Sequence, residues 1–334
     1  MCTTFDKPFK NYEQLIEIME NRHIVVNDKD FAKMALQNFS YYSIVNGYKD
    51  TFLQIPGSDD FIPGTKFEEL YTIHMLDVSL NNIIFKYILY IEKALKSRIS
   101  YLVSEQFGVY TDRSDMTNNN PSDYLYRKNY SSSSGKRNSI LCQIKECANN
   151  ERGNPVLHHY ITTKNHVPAW ILTSNVPFGL TIEWYNILKG TDKQTICEQF
   201  IDNAALTVEE RKEFLHKALS LCKEYRNKIA HGNRTFSIMQ LPELPKKATL
   251  LLSMGTLTEP EYTLYGQNSI FAVFLAIVIL LNDQYLLINF HTEIKSLLEP
   301  YHDTKFNHKN IYEIFGLPND TISRIQKLLY AKFT

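Results

Sequence analysis

The stretch that decides the fold is "FEELYTIHMLDVSLNNIIFKYILYIEKALKSRISYLVSEQFG", residues 67–108. Apolar side chains recur along it at the i, i+3 and i+4 spacing, and no Pro or internal Gly interrupts them. This periodicity predicts one or two long α-helices that bury one face. The apolar stripe consists of Leu70, Ile73, Leu76, Leu80, Ile83, Ile84, Tyr87, Ile91, Leu95 and Ile99.

The rest of the chain repeats this helical pattern. Thr207 followed by Glu210 predicts a capping box at the start of another helix, and Gly232 predicts where that helix ends. The chain has only 12 Gly and 12 Pro, and it shows no internal repeat and no alternating strand series. The predicted fold class is therefore all-α, with at most a small extended element near residues 50 to 66.

The composition changes between residues 111 and 139, where "TDRSDMTNNNPSDYLYRKNYSSSSGKRNS" is polar and rich in Ser and Asn. A segment of this kind buries little apolar surface, so we predict a polar loop or linker. It separates an N-terminal helical region, residues 1–110, from a second helical region, residues 140–240. Residues 241–334 are predicted to form a C-terminal helical region that completes the core.

The charge balance and the cysteine content limit the classes to which this protein can belong. Lys and Arg number 36, as do Asp and Glu, so any polyanion must be held by a local patch. Five cysteines without a C-x-x-C pair suggest reduced thiols in a cytoplasmic protein, and the start of the chain shows no secretion signal. The longest apolar run, "IFAVFLAIVILL" at 270–281, is too short for a bilayer, which needs about 20 residues, and is expected to be a buried core helix.

Several kinds of chemistry have no support in the sequence. His158, His159 and His166 lie close together, but no Cys pair or acidic partner stands at a metal-ligand spacing around them. Structural histidines are the better interpretation, and no metal is predicted. Glycine-rich phosphate loops and nucleophile-elbow patterns are also missing, so no cofactor is expected.

An Arg followed by a His after four to six residues is a pattern of metal-independent ribonucleases. Their chemistry needs a group that moves the ribose 2′-OH proton and a cation that holds the phosphate. Three pairs fit this spacing: Arg152 with His158 or His159, Arg211 with His216, and Arg226 with His231. The first pair spans a Gly and a Pro. The second lies inside a helix, where five residues turn the side chains about 140° apart. The third reaches a helix end, where Gly232 allows the last turn to unwind.

Local charge also favours the third pair. Residues 211–234 hold seven Lys and Arg against two Glu, an excess of +5 in a chain without net charge. Such a patch suits a phosphate backbone. A solvated basic face with His231 as a helix-capping residue explains the same residues equally well, so spacing and charge leave both interpretations open.

Two sets of segments in the sequence resemble known protein families. "YRNKIAHGNR" resembles the R-N-x-x-x-H motif of HEPN-domain ribonucleases. Elsewhere the chain resembles the Abi-like family of bacterial abortive-infection proteins, of the AbiD/AbiF type. The segments that carry this second resemblance are "FSYYSIVNGYKDTF" at 39–52, residues 61–101, "NPVLHHY" at 154–160 and "VPAWILTSNVPFGLTIEWYNIL" at 167–188.

The resemblance implies an all-α helical bundle of HEPN type with additional helices, in which residues 140–240 carry the motif. It implies a phage-defence protein that cleaves RNA, with Arg226, Asn227 and His231 as the catalytic residues. "NPVLHHY" is associated with the fold rather than with the chemistry. Some Abi-like proteins are also linked to a small non-coding RNA that acts as an antitoxin, so RNA is the expected partner.

The predicted reaction is metal-independent attack of the 2′-OH on the adjacent phosphate. His231 is expected to act as general acid and base, Arg226 to stabilise the charged transition state, and Asn227 to orient the phosphate or the histidine. Lys228, Arg234 and Lys223 are expected to contact the RNA backbone.

An Arg and a His five residues apart need not share a helix face, and HEPN enzymes are thought to place two motifs face to face. This chain offers a single convincing motif, so a homodimer with a composite site is predicted. The alternative function is a non-catalytic protein that binds or senses RNA and holds a small antitoxin RNA through the same basic patch.

Overall fold

The computed structural model describes residues 7–55, 57–133, 135–150, 153–232, 234 and 240–334. The α-helices are α1 (Tyr12–Asn21), α2 (Lys29–Tyr41), α3 (Phe67–Phe107), α4 (Arg137–Asn149), α5 (Pro155–Thr163), α6 (Ala169–Leu172), α7 (Phe178–Ile187), α8 (Gly190–Phe200), α9 (Val208–Ala230), α10 (Lys246–Leu252), α11 (Glu259–Glu261), α12 (Ile270–Leu280), α13 (Gln284–Leu298), α14 (Ile311–Phe315) and α15 (Thr321–Phe333). Short 3-10 turns occupy Lys49–Thr51, Arg127–Asn129, Thr173–Asn175 and Glu299–Tyr301, and π-helical turns occupy Tyr42–Asn46 and Tyr262–Gly266.

The described residues contain no β-strand. In the segment near residues 50 to 66, pairing is limited to isolated bridges between Leu53 and Phe61 and between Val25 and Lys66. The prediction of an all-α fold is therefore confirmed.

Helix α3 is the long element that the opening stretch predicts. It runs without a break for 41 residues, which at 1.5 Å per residue is about 60 Å. Its apolar stripe is buried almost throughout, and it packs against α6, α9, α12 and α13. The helix ends at Gly108, whose φ of +85° suits a residue without a side chain.

Helix α9 begins and ends where the sequence predicts. The Thr207 hydroxyl accepts from the Glu210 backbone N–H, and the Glu210 carboxylate accepts from the Thr207 backbone N–H, which is the predicted capping box. One face buries Phe214, Ala218 and Tyr225, among others. Helix α9 packs against α3, α7, α8 and α12.

Helix α12 is buried along its entire length, so the interpretation of residues 270–281 as a core helix is confirmed. Within the described ranges, no single helix is both long and apolar enough to cross a bilayer. The pair Glu259–Gly266 and Ile270–Leu280 passes that test only when its two helices are taken together, and they meet at a bend of 99°.

The polar segment 111–139 contains no α-helix before Arg137, but part of it is folded inward. Asp123 is fully buried and forms an ion pair with Lys145 of α4, with 2.9 Å between Oδ2 and Nζ. Tyr124 is also fully buried and donates to the Val167 carbonyl at 2.9 Å. The core that these residues join is one continuous set of buried apolar side chains, to which all four predicted regions contribute.

Candidate functional site

The third Arg and His pair lies at the C-terminal end of α9. His231 is the C-cap, and its backbone N–H donates to the Asn227 carbonyl at 3.2 Å. Gly232 follows with φ +78°, and its N–H donates to the Ile229 carbonyl at 2.9 Å. A left-handed Gly directly after the cap is a common way to end a helix, because it satisfies the last carbonyl groups without a side-chain clash. The predicted helix end at Gly232 is confirmed.

Arg226 and Asn227 lie together on the last turns of α9. The Arg226 Nη1 donates to the Asn227 Oδ1 at 3.2 Å. This contact fixes the amide so that its nitrogen is left to donate elsewhere. The guanidinium carbon of Arg226 stands 5.7 Å from the ring centre of Phe85 on α3. Its Nε is buried and has no hydrogen-bond partner among the described residues.

His231 does not join this pair within one copy of the chain. Its side chain is exposed, and no hydrogen bond links it to Arg226 or Asn227 in the described part of the structure. Arg226 and His231 are five residues apart, and the backbone reaches His231 with φ −91° and ψ 12°, just outside helical geometry. The structure therefore brings Arg226 and Asn227 together and leaves His231 at the protein surface beside them.

The positive charge excess of the basic patch, residues 211–234, is smaller in the folded structure than the count along the sequence suggests. Arg211 pairs with Glu198 of α8 at 3.8 Å, and Lys212 pairs with Glu209 in the first turn of α9 at 3.1 Å. Both carboxylates lie outside the window 211–234, so a count along the sequence omits them. Lys223, a predicted RNA contact, pairs with Glu224 at 2.7 Å. The excess of +5 is thus partly neutralised by neighbours.

Arg234, a second predicted RNA contact, turns toward α3. Its guanidinium carbon lies 5.8 Å from the ring centre of Tyr48, and its Nε lies 2.9 Å from where a side chain on Gly47 would begin. Gly47 is therefore required for this close approach. Lys228, the third predicted contact, is partly buried in the last turn of α9.

Arg234 borders a cleft of about 300 Å³ that residues of α3 line on one side. At the bottom, the Tyr48 hydroxyl donates to Asp77 Oδ2 at 2.9 Å and lies 3.2 Å from His74 Nδ1. Burial and the nearby Arg234 charge lower the pKa of His74. Burial, together with the Asp77 carboxylate, raises the pKa of Tyr48 well above its usual range. This polar cluster is not among the predicted site residues.

The cluster did leave a signal in the sequence. His74, Asp77 and Asn81 stand at i, i+3 and i+7 on α3, so they share one face of that helix beside its apolar stripe. Polar residues at helical spacing beside a buried stripe indicate either a solvated edge or a lined cleft. The structure shows that this face lines a cleft, because Ile229 of α9 and Arg234 beyond the end of α9 stand on its other side.

Of the other two Arg and His pairs, the structure describes only the second in full, and its two side chains are held apart. The His216 Nδ1–H donates to Asn186 Oδ1 at 3.1 Å, and burial lowers the pKa of His216. Arg211 of that pair is turned toward α8 and Glu198. Arg152 of the first pair lies outside the described residues. Of the three pairs, only the third has a described Arg whose guanidinium pairs with no carboxylate.

Among the described residues, no group of three His, Cys, Asp or Glu side chains could hold a metal ion. His158 and His159 lie exposed on α5, where the His159 ring contacts the Thr163 hydroxyl at 3.2 Å. Cys142, Cys147, Cys197 and Cys222 are free thiols.

An all-α protein with Arg, Asn and His at one helix end is the class that this fold and site define. Residues 34–237 match the family described as Abi-like protein, and because the match covers more than half of the chain, the chain belongs to that family. Membership implies abortive infection, a form of phage defence. Comparisons with curated proteins and with solved structures give no match. The match includes α3, α9 and the residues at the end of α9.

Proposed function

We propose that this Abi-like protein is a metal-independent endoribonuclease of HEPN type, with Arg226, Asn227 and His231 as its catalytic residues. The observation that carries the proposal is the state of Arg226. Its guanidinium is half-buried and held by Asn227, yet its Nε has no partner among the described residues. A buried donor without a partner costs stability, and a positioned guanidinium binds phosphate through several N–H groups at once.

The chemistry follows from these groups. The ribose 2′-oxygen attacks the adjacent phosphorus while the bond from phosphorus to the 5′-oxygen breaks. The products are a 2′,3′-cyclic phosphate and a 5′-OH end. His231 removes the 2′-OH proton as general base, and the resulting imidazolium then gives a proton to the leaving 5′-oxygen as general acid. Arg226 stabilises the additional negative charge on the phosphoryl oxygens, and the Asn227 amide donates to one of them.

Two copies of the chain are proposed to complete the site. Within one copy, no hydrogen bond among the described residues holds the His231 side chain against the Arg226 pair, and a general base is normally oriented by a neighbour. A second copy related by a twofold axis brings its His231 to the phosphate held by Arg226 and Asn227 of the first copy, and the first copy does the same in return, because such an interface pairs identical surfaces. The homodimer is thus part of the catalytic proposal.

A backbone contact is proposed for Lys228, with smaller parts for Lys223 and for Arg234, whose guanidinium faces Tyr48 and lines the same cleft as the Asp77 carboxylate. Lys223 has its own carboxylate partner in Glu224, so its ammonium adds less to the field felt by a phosphate. Lys228 lies within one turn of His231 and is the best placed of the three.

A second candidate function uses the same surface without cleavage. The exposed position of His231 also fits a protein that binds a small antitoxin RNA through its basic groups and performs no chemistry. In that case Arg226 holds a phosphate as a binding residue only. The two functions differ in whether removal of His231 abolishes an activity or only weakens binding.

Cleavage in the presence of EDTA separates these candidates. Purified protein is incubated with total cellular RNA, and His231→Ala and Arg226→Ala are compared with the wild type and with His159→Ala, an exposed histidine remote from α9. We expect wild type and His159→Ala to give 2′,3′-cyclic phosphate ends, and the two site variants to be inactive. Intact RNA with the wild type, or equal cleavage by all four proteins, would contradict the ribonuclease proposal. Cell toxicity of the same variants gives a second readout.

Mixing two inactive variants tests the composite site. If Arg226 of one copy acts with His231 of the other, a dimer of Arg226→Ala and His231→Ala contains one intact site. Random pairing then restores about a quarter of the wild-type activity, because half of the dimers are mixed and each has one site. No restoration, together with a monomeric mass in solution, would contradict the composite site. The absorbance ratio of the purified protein shows in the same sample whether RNA is bound.

A further inference from the structure

The cleft between α3, the π-helical turn Tyr42–Asn46 and the end of α9 has a composition unlike that of a phosphate site. At about 300 Å³ it stands at the lower end of the range of small-molecule pockets, about 300–1,000 Å³. Arg234 is matched by the buried carboxylate of Asp77. A phosphate would therefore meet a negative charge there as well as a positive one, whereas a neutral, planar and polar group would not.

The hydrogen bonds at the bottom of the cleft define what it can accept. Tyr48 has a single hydroxyl hydrogen, which it donates to Asp77. Its contact with His74 therefore requires the His74 Nδ1–H to donate to the tyrosine oxygen. His74 is only 8% exposed and its pKa is lowered, so it is neutral at pH 7 and its Nε2 is an acceptor. That Nε2 has no hydrogen-bond partner among the described residues.

The rim of the cleft adds a stacking surface and an amide. Tyr42 is 69% exposed at the first position of the π-helical turn, and Asn82 is exposed on α3. Val78 and Ile229 supply apolar walls. An exposed aromatic ring, an amide and a buried acceptor are the groups with which proteins bind unstacked bases of single-stranded RNA.

We propose that this cleft binds one base of the RNA substrate, next to the phosphate held by Arg226, and that it favours bases with an amino group. The acceptor Nε2 of His74 receives a hydrogen bond from the amino group, Tyr42 stacks on the base, and the Asn82 amide bonds its remaining edge. This specificity subsite rests on the proposed ribonuclease function. It adjoins the motif because Ile229 and Gly232 at the end of α9 line the same cleft.

Cytosine and uracil are the probes for this subsite, since they have almost the same shape and differ in an amino group. Binding of short fluorescent oligo-C and oligo-U RNAs is measured by anisotropy at fixed salt, with His231→Ala protein to prevent cleavage. We expect oligo-C to bind about fivefold or more tightly than oligo-U. Tyr42→Ala should weaken both about fivefold or more, and Asn82→Ala and His74→Phe should reduce the preference.

Matched variants control for general effects on folding and charge. Tyr42→Phe keeps the ring and should bind like the parent, and Tyr101→Ala removes a tyrosine of similar exposure from the other end of α3. Equal affinity for oligo-C and oligo-U, or no effect of Tyr42→Ala and Asn82→Ala, would overturn the subsite even if the protein cleaves RNA. A preference for oligo-C that these variants abolish would support it even if no cleavage is found. Tight binding of cytidine monophosphate, with RNA binding independent of the cleft, would assign the cleft to a free nucleotide and overturn the proposal.

Discussion

The buried Lys145 and the half-buried Arg226 differ in how fully the fold supplies hydrogen-bond partners to their charged groups. The Lys145 side chain is 0% exposed and donates to Asp123 Oδ2 at 2.9 Å and to the Asp115 carbonyl at 2.6 Å. Asp123 accepts in addition from the backbone N–H groups of Asp112 and Leu125. Among the described residues, the Arg226 side chain has one hydrogen bond, to its sequence neighbour Asn227. A cation bonded to a buried carboxylate and a carbonyl holds a loop in place, and a guanidinium with a buried N–H left open is available to a ligand.

The largest effect on stability is expected from Lys145→Met. It leaves the Asp123 charge buried and without its cation, so the free energy of unfolding should fall by about 3–5 kcal/mol. Urea denaturation followed by circular dichroism measures this change. Lys247→Met is the matched control, because Lys247 is 66% exposed in its pair with Glu210 and should contribute about 1 kcal/mol or less. Similar losses for both variants would mean that the loop is not held by the buried pair.

Arg226→Lys should change RNA cleavage rather than stability. We expect RNA cleavage to fall about 10²- to 10³-fold, because an ammonium does not reproduce the fork of donors that faces the phosphate. The free energy of unfolding should change by less than about 1 kcal/mol, since the side chain makes one hydrogen bond within the described part of the chain. Single-turnover cleavage and urea denaturation are measured on the same preparation. A loss of stability as large as that of Lys145→Met would make Arg226 a structural residue like Lys145.

The two ends of α9 provide a finer contrast. Gly232→Ala forces a side chain into a left-handed backbone conformation and should cost about 1–2 kcal/mol. Because Gly232 follows His231 directly, RNA cleavage should also decrease. Thr207→Ala removes the N-cap at the other end and should cost about 1 kcal/mol without changing the activity of the folded protein. Equal activity of the two variants would show that the geometry of the helix end does not position His231.

The smallest effect is expected from pH, through His74. The pKa of His74 is lowered in the folded protein, so the unfolded chain takes up a proton first as the pH falls below about 6.5. Stability should therefore decrease as the pH falls from about 8 to about 5.5. His74→Gln, which stays neutral, should reduce this dependence. Urea midpoints at the two pH values measure it, and the same pH dependence in wild type and His74→Gln would contradict the assignment.

The sequence predicted those features that depend on local pattern. The stripe of α3, the capping box at Thr207, the helix end at Gly232 and the buried helix at residues 270–281 were predicted correctly, because each is determined by residues within one helix. The position of the candidate site at the end of α9 followed from the same local signals and from a family resemblance. Its catalytic role remains a proposal.

Features that depend on contacts between distant residues were not predicted. The count of charges in residues 211–234 omitted Glu198 and Glu209, which stand outside that window and neutralise Arg211 and Lys212. The polar composition of residues 111–139 likewise gave no sign that Asp123 would meet Lys145 in the core. The cleft is formed by segments that only the tertiary fold brings together, so no window of the sequence contains it.

The packing of helix α12 shows that the region matched by the family is not structurally independent of the rest of the chain. It starts at Ile270, beyond the matched residues 34–237, yet it packs against both α9 and α3. The part of the chain that carries the family signature therefore shares its core with helices outside that signature. A chimera that joins residues 34–237 of one relative to the C-terminal helices of another has to keep the shape of the seam between α9 and α12. Across relatives, we expect the residues on the two sides of this seam to change together.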